Sequence, residues 1–167
     1  MSEPVFALLV DQLEVRIINE SVSRIKKCLH LIKEEELWLS PNTEITSIGS
    51  TILHLRGNAT QWLNSICEGK QVDRNRDAEF FPDRKWTKME MEGILNDLSA
   101  AIHTLIPRLK EIDPRQSITI QTLPTNPVDA MVHVIEHFSY HTGQITLLTK
   151  LYSGRSTDYY AHINLNE

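Results

Sequence analysis

From Pro4 to Leu39, apolar residues recur at Phe6, Leu9, Val10, Leu13, Ile17, Ile25, Cys28, Leu29 and Ile32. Steps of three and four place them on one face of a helix. Ser40-Pro41-Asn42 then breaks the pattern. A second helix is predicted to start after Ser47, a good N-cap residue, and to end at Gly69. Its apolar arc is Ile48, Ile52, Ala59, Trp62, Leu63 and Ile66. Residues 70–86 are rich in charge and follow no clear period, and connections of this length are usually functional or mobile. Thr87 and Glu90 form a capping-box pattern that opens a third helix. Its buried face is Ile94, Leu95, Leu98, Ala101, Ile102, Leu105 and Leu109. Pro107 is expected to kink or loosen its last turns before Asp113-Pro114 ends it. Ser117 to Thr122 alternates with period two and reads as a short extended piece laid over the helices. Asn126-Pro127-Val128-Asp129 is a strong helix start, and that helix should run to about Tyr152, with Gly154 beyond its end. The tail from Arg155, with Tyr159 and Tyr160, is expected to pack back over one end of the molecule.

Four long amphipathic segments with hardly any strand signal predict an all-α fold, an antiparallel four-helix bundle with its long connection between helices two and three. A length of 167 residues, with no repeat or linker, predicts one domain over 1–167. The net charge of −5 argues against binding nucleic acid or an anionic membrane, since both call for a basic surface. No basic, apolar leader opens the sequence and no run approaches the ~20 apolar residues of a membrane span. Cys28 and Cys67 are far apart and lie in helix-like segments, which suggests two core thiols in a reducing cytoplasm.

The distinctive chemistry lies in the histidines of the last helix. His133, His137 and His141 are spaced by four, and residues four apart on a helix sit about 40° apart on one face. Ala130, Val134, Phe138 and Leu148 share that side of the wheel, so His137 and His141 point toward the core and His133 lies at the edge. Gln144 falls in the same polar inlet. A core-facing imidazole must be hydrogen-bonded or metal-bound, because an unpaired buried polar group costs a few kcal/mol. Two imidazoles at i and i+4 converge on one point, as in the zinc-binding helices that carry the His-Glu-x-x-His motif. The interposed residues here are Phe138, Ser139 and Tyr140, so that motif's glutamate is missing. The candidate third ligand is His54, which forms a polar stripe with Asn58, Gln61 and Ser65 on the second helix; the same stripe would also suit an ordinary solvated face. His30, His103 and His162 lie on polar faces or in the tail and are expected to be exposed.

Three pieces in this order carry a family pattern: Ser47-Ile48-Gly49; His54-Leu55-x-Gly57-Asn58-x-x-Gln61-Trp62; and His137-x-x-x-His141-x-Gly143-Gln144-Ile145. Over nearly the whole chain they resemble the DinB-like superfamily. The segment Arg74-Asn75-Arg76-Asp77-Ala78-Glu79-Phe80 is similar to one found in a subgroup of uncharacterised bacterial DinB-like proteins. The resemblance implies an up-down-down-up arrangement of four helices, usually dimeric. It also implies a divalent metal held by His54, His137 and His141. The wider superfamily includes transferases and isomerases that use a low-molecular-weight thiol. The family often has an arginine after the second histidine of the last helix, where this chain has Thr142.

Two functional classes follow. In the first, three neutral histidines hold a zinc, nickel or iron ion with positions open to water or thiolate. The reaction is then transfer of a low-molecular-weight thiol to an electrophilic small molecule, or a metal-assisted hydrolysis. Asn58, Gln61, His133 and Gln144 would line the pocket or hydrogen-bond beside the ligands. Arg74, Arg76, Asp77 and Glu79 would position a polar substrate if their loop folds over the mouth; a solvated loop is the plainer alternative. In the second class the metal is structural and the protein is a non-catalytic, stress-related dimer. No catalytic side chain is singled out by the sequence.

Overall fold

The computed structural model describes residues 3–161 and 163–164. The architecture is all-α, with one small hairpin. The first helical stretch comprises α1 (Glu3–Gln12), a π-helical segment (Leu13–Val22) and α2 (Ser23–Leu31). Leu13, Ile17 and Ser21, spaced by four, stay buried along the π segment, and the Ser21 hydroxyl donates to the Arg16 carbonyl one wide turn back. The expected run to Leu39 is corrected here. Ile32 is extended and ends the helix, and a separate 3-10 turn, Glu35–Trp38, buries Leu37. The apolar rhythm continues across the break, so periodicity alone could not locate it.

Helix α3 (Ile48–Glu68) begins where Ser47 accepts a hydrogen bond from the Ser50 amide and ends at Gly69, whose φ of 68° is left-handed. A short helix, α4 (Asp77–Phe80), interrupts the connection that the sequence leaves without structure. Helix α5 (Lys88–Lys110) starts on the complete Thr87–Glu90 capping box and continues past Pro107 for three residues. The extended piece is one strand of a hairpin, β1 (Ile118–Ile120) pairing antiparallel with β2 (Leu123–Thr125). The turn between them puts both Gln121 and Thr122 at positive φ. Tight hairpin turns favour Asn-Gly here, so the Gln-Thr pair gave no turn signal. Helix α6 (Pro127–Ser153) starts on Asn126, which accepts from the Asp129 amide, and stops at the left-handed Gly154.

Helix α3 packs on both α5 and α6, while the first stretch covers the other sides of α5 and α6. Ile17, Ile25, Ile52, Ile66, Leu95, Ile102, Val134 and Phe138 are almost wholly buried between them. The tail does pack back: the Tyr159 hydroxyl is 2.7 Å from Thr146 Oγ1 and 3.0 Å from Cys28 Sγ, and Arg24 donates to the Tyr160 hydroxyl. Cys28 and Cys67 are buried free thiols. The contact of α3 with α6 is the one that positions the histidines.

Candidate metal centre

His54 sits in the second turn of α3, and its ring is buried. His137 and His141 are one turn apart on α6 and half-buried. The ring centroids are 4.9 Å apart for His54 and His137, 5.0 Å for His54 and His141, and 4.4 Å for His137 and His141. One nitrogen from each ring lies within 4.8 Å of the other two. His54 Nε2 and His137 Nε2 are 3.0 Å apart. In a tetrahedral shell with metal–nitrogen bonds of about 2.0–2.1 Å, two ring nitrogens stand about 3.3–3.4 Å apart. The donor set thus fits a divalent cation to within a few tenths of an ångström for this pair.

Partners of the remaining ring nitrogens support the fit. His141 Nδ1 donates to Gln144 Oε1 at 2.6 Å, which leaves Nε2 as the free donor. His54 Nδ1 lies 3.0 Å from both Glu79 Oε2 and Arg74 Nη2. With the two Nη2 hydrogens directed to Glu79 Oε2 and the His54 carbonyl, Nδ1–H donates to Glu79 and the Nε2 lone pair faces His137. His137 Nε2–H therefore donates to His54 Nε2, and a cation between the two rings would replace that shared proton. Burial holds the His137 imidazolium down to a pKa of about 3, with repulsion from His141, His54, His133 and Arg74 adding to it. Burial also lowers His141 and His133 below the ordinary value. These shifts favour the neutral form of His133, His137 and His141 at pH 7, and the neutral imidazole is the form that binds a metal.

The charged connector reaches the site through two of its residues. The four residues anticipated as one substrate loop divide into two pairs. Arg74 and Glu79 turn inward, while Arg76 and Asp77 stay exposed, with the Arg76 guanidinium 5.1 Å over the Phe80 ring. Arg74 Nε and Nη2 hold the two Glu79 oxygens at 2.7 and 2.6 Å, a bidentate pair. Burial works to raise the Glu79 carboxyl, but hydrogen bonds from Arg74 and His54 outweigh it and hold it below the carboxylate norm. Phe80 packs its ring 5.1 Å from that of His54. Glu79 makes a contact with His54 that the charge pattern of residues 70–86 does not by itself reveal. Its place in the Arg-Asp-x-Glu-Phe segment was the available signal.

His133 lies beside the cluster, stacked on Trp62 at 4.0 Å, with its Nε2 3.2 Å from Asn58 Nδ2. Asn58 Oδ1 and Trp62 Nε1 are buried without a hydrogen-bond partner. Gln61 does not face the histidines. It donates to the Val72 carbonyl and accepts from Gln121, tying α3 to the connector and the hairpin turn. Gln144 is exposed and reaches the site only through His141. His30 and His103 are exposed, His30 pairing with Glu92 at 3.0 Å; His162 lies outside the described residues. A cleft of about 450 Å³ lined by His133, Glu136, His137, Ser139 and Tyr140 meets the cluster at His137.

Residues 11–161 match a family described as "Protein of unknown function (DUF1572)". No curated protein matches the chain. Among solved structures, the crystal structure of a DinB-like protein, YjoA from Bacillus subtilis, superposes with a TM-score of 0.61 at 12% identity, covering 89% of this chain and 94% of that one. At that identity the likeness is one of fold.

Proposed function

The chain belongs to the DUF1572 family, a DinB-like family, and from that premise we propose a metal-dependent enzyme that transfers a low-molecular-weight thiol to an electrophilic small molecule. The observation that carries this reading is the three-imidazole cluster, in which His54, His137 and His141 would hold the cation. A bound divalent ion would lower the pKa of a thiol or water and so supply a nucleophile at neutral pH. The chain's own groups suit an anionic ligand on the ion. Three neutral imidazole ligands would leave the full positive charge of the ion uncompensated, which favours an anionic ligand such as thiolate or hydroxide. The Arg74–Glu79 pair adds no net charge beside it. Ser139, Tyr140 and His133 line the cleft and would orient the second substrate. Exposed Arg76 and Asp77 would meet it at the rim. Metal-assisted hydrolysis is the second reading and uses the same donors with water in place of thiol.

The remaining parts of the proposal concern the molecule that carries the site. It is one domain, a four-helix bundle of up-down-down-up order, built from the stretch 3–31 with α3, α5 and α6. It is a homodimer acting on a small molecule in the cytoplasm, with no nucleic-acid or membrane partner. The two buried free thiols and the net charge of −5 support that placement, and no helix among the described residues is long and apolar enough to cross a membrane. The experiment is elemental analysis of protein from its native source, then turnover of model electrophiles with and without thiol, comparing wild type with His141→Ala. Thiol-dependent turnover lost in the variant supports the transferase. Thiol-independent turnover lost in the variant supports the hydrolase. Equal rates, or no turnover across a broad panel, favour a non-catalytic metal protein.

A further inference from the structure

The Glu79 carboxylate occupies a place that the packing was built to admit. It is 7% exposed, and it arrives on α4, a single helical turn in the middle of a connection of mostly exposed residues. The connector is fixed at both ends of this approach. Gln61 and Ser65 hold the Val72 backbone, and Phe80 packs against the His54 ring. Gly57, one turn after His54 on α3, lies directly under the carboxylate. A β-carbon there would collide with Glu79 Oε1 and stand 3.0 Å from Arg74 Nε. A helix interior otherwise disfavours glycine relative to alanine, so the close approach is its physical reason. Arg74 Nη2 also stands 3.0 Å from His54 Nδ1 and donates to the His54 carbonyl at 3.3 Å, so without the carboxylate Arg74 would be left to donate to Nδ1 and favour the other tautomer. It grips both carboxylate oxygens, so Glu79 cannot swing away from the ring.

We infer that Glu79, clamped by Arg74 and admitted by Gly57, is the positioning residue that fixes His54 with its proton on Nδ1 and its Nε2 lone pair aimed between His137 and His141. This rests on the metal reading of the cluster for its purpose, but the tautomer it sets is a property of the protein by itself. A neutral imidazole has two tautomers of similar energy, and only one presents Nε2 as a donor atom. A carboxylate on Nδ1–H selects that one, fixes the ring's rotation and makes the opposite nitrogen more basic. Loss of such a partner typically weakens metal affinity about 10- to 100-fold. Glu79 touches neither the cation position nor the cleft, so its effect passes through His54.

The test has two readouts. Nitrogen-15 NMR of the imidazoles in metal-free protein reports the His54 tautomer, and titration with Zn²⁺ or Co²⁺ alone reports affinity. In wild type, His54 should carry its proton on Nδ1. Glu79→Ala and Gly57→Ala should each give mixed tautomers and metal binding about 10- to 100-fold weaker. The double variant should be little worse than either single change, since both remove one contact. Glu79→Gln keeps the shape and an acceptor oxygen, so it should retain the tautomer and lose only part of the affinity. It serves where Glu79→Ala fails to fold. An Nε2–H tautomer in wild type, or affinity within about twofold of wild type in Glu79→Ala, overturns the inference. A wild-type protein that binds neither ion sinks the metal reading instead, and the tautomer measurement still decides what Glu79 does.

Discussion

At the scale of single residues, the cluster makes sharp demands on stoichiometry. His54→Ala, His137→Ala and His141→Ala each remove one of three donors, and each should reduce bound metal from near one per chain to a small fraction. His30→Ala and His103→Ala, both at exposed positions away from the cluster, should leave it unchanged. Elemental analysis after dialysis checks both sets, and full occupancy in His137→Ala would remove the assignment. The same rings set a pH dependence. The folded protein resists protonating His137, whose pKa falls from its ordinary 6.5 to about 3, while the unfolded chain takes up that proton below 6.5. The unfolded state then binds more protons across this window, so stability rises with pH through it and is lost as pH falls from about 6.5 toward 3. Denaturant titrations of metal-free protein at several pH values should show that loss, and His137→Gln should flatten it. Glu79, with its own pKa lowered, has the same sign in a lower window, below its ordinary 4.5.

Among the elements, α6 carries two of the three imidazoles, and its start is separable from its chemistry. Asn126 Oδ1 accepts from the Asp129 amide at 3.0 Å, and Pro127 presets the first turn. Asn126→Ala should cost about 1 kcal/mol of stability by chemical denaturation. His137 lies about three turns further on, so metal affinity should change by less than about twofold. A parallel loss of affinity would show that the helix start and the site are coupled. The connector behaves differently: α4 has only four residues, and tertiary contacts with α3 hold it. Isolated helices of that length are not stable, so its form depends on Glu79 reaching Arg74 and His54.

For the whole molecule, the last helix leaves Tyr140, Leu147 and Leu151 between 63% and 68% exposed. Spacings of seven and eleven put them on one stripe, and contiguous exposed apolar surface commonly marks an association site. A two-fold dimer would use this stripe twice. Light scattering at micromolar concentration should return twice the chain mass. Leu147→Glu with Leu151→Glu should return the 19.2 kDa monomer. A wild-type monomer would exclude the dimer. Metal binding to the folded state alone should also raise global stability, by about 4 kcal/mol at a thousand times the dissociation constant. Thermal melts with and without added Zn²⁺, repeated on His137→Ala, measure that linkage.

Local chemistry settled the helix ends before any packing was considered. The Ser47, Thr87 and Asn126 caps and the Gly69 and Gly154 stops mark where backbone groups run out of intrahelical partners, and those signals are written in adjacent residues. Four-residue spacing likewise placed His137 and His141 together, because a helix fixes neighbours at that distance. His54 was legible as a candidate from its polar stripe and the family pattern, but its approach to within 3.0 Å of His137 depends on how α3 crosses α6. The rest depended on contacts between residues remote in sequence. Ile32 leaves the helix although the apolar rhythm continues through it. The partner of β1 follows a turn with no glycine. Arg74 and Glu79 separate from Arg76 and Asp77 only because Gly57 opens a space for one carboxylate 22 positions away. Periodicity and caps act over one or two helical turns, so the sequence determined the helices and the pair on α6. Whether a charged residue faces water or an imidazole depends on the free space and partners that remote segments provide, and the tertiary structure alone decided that.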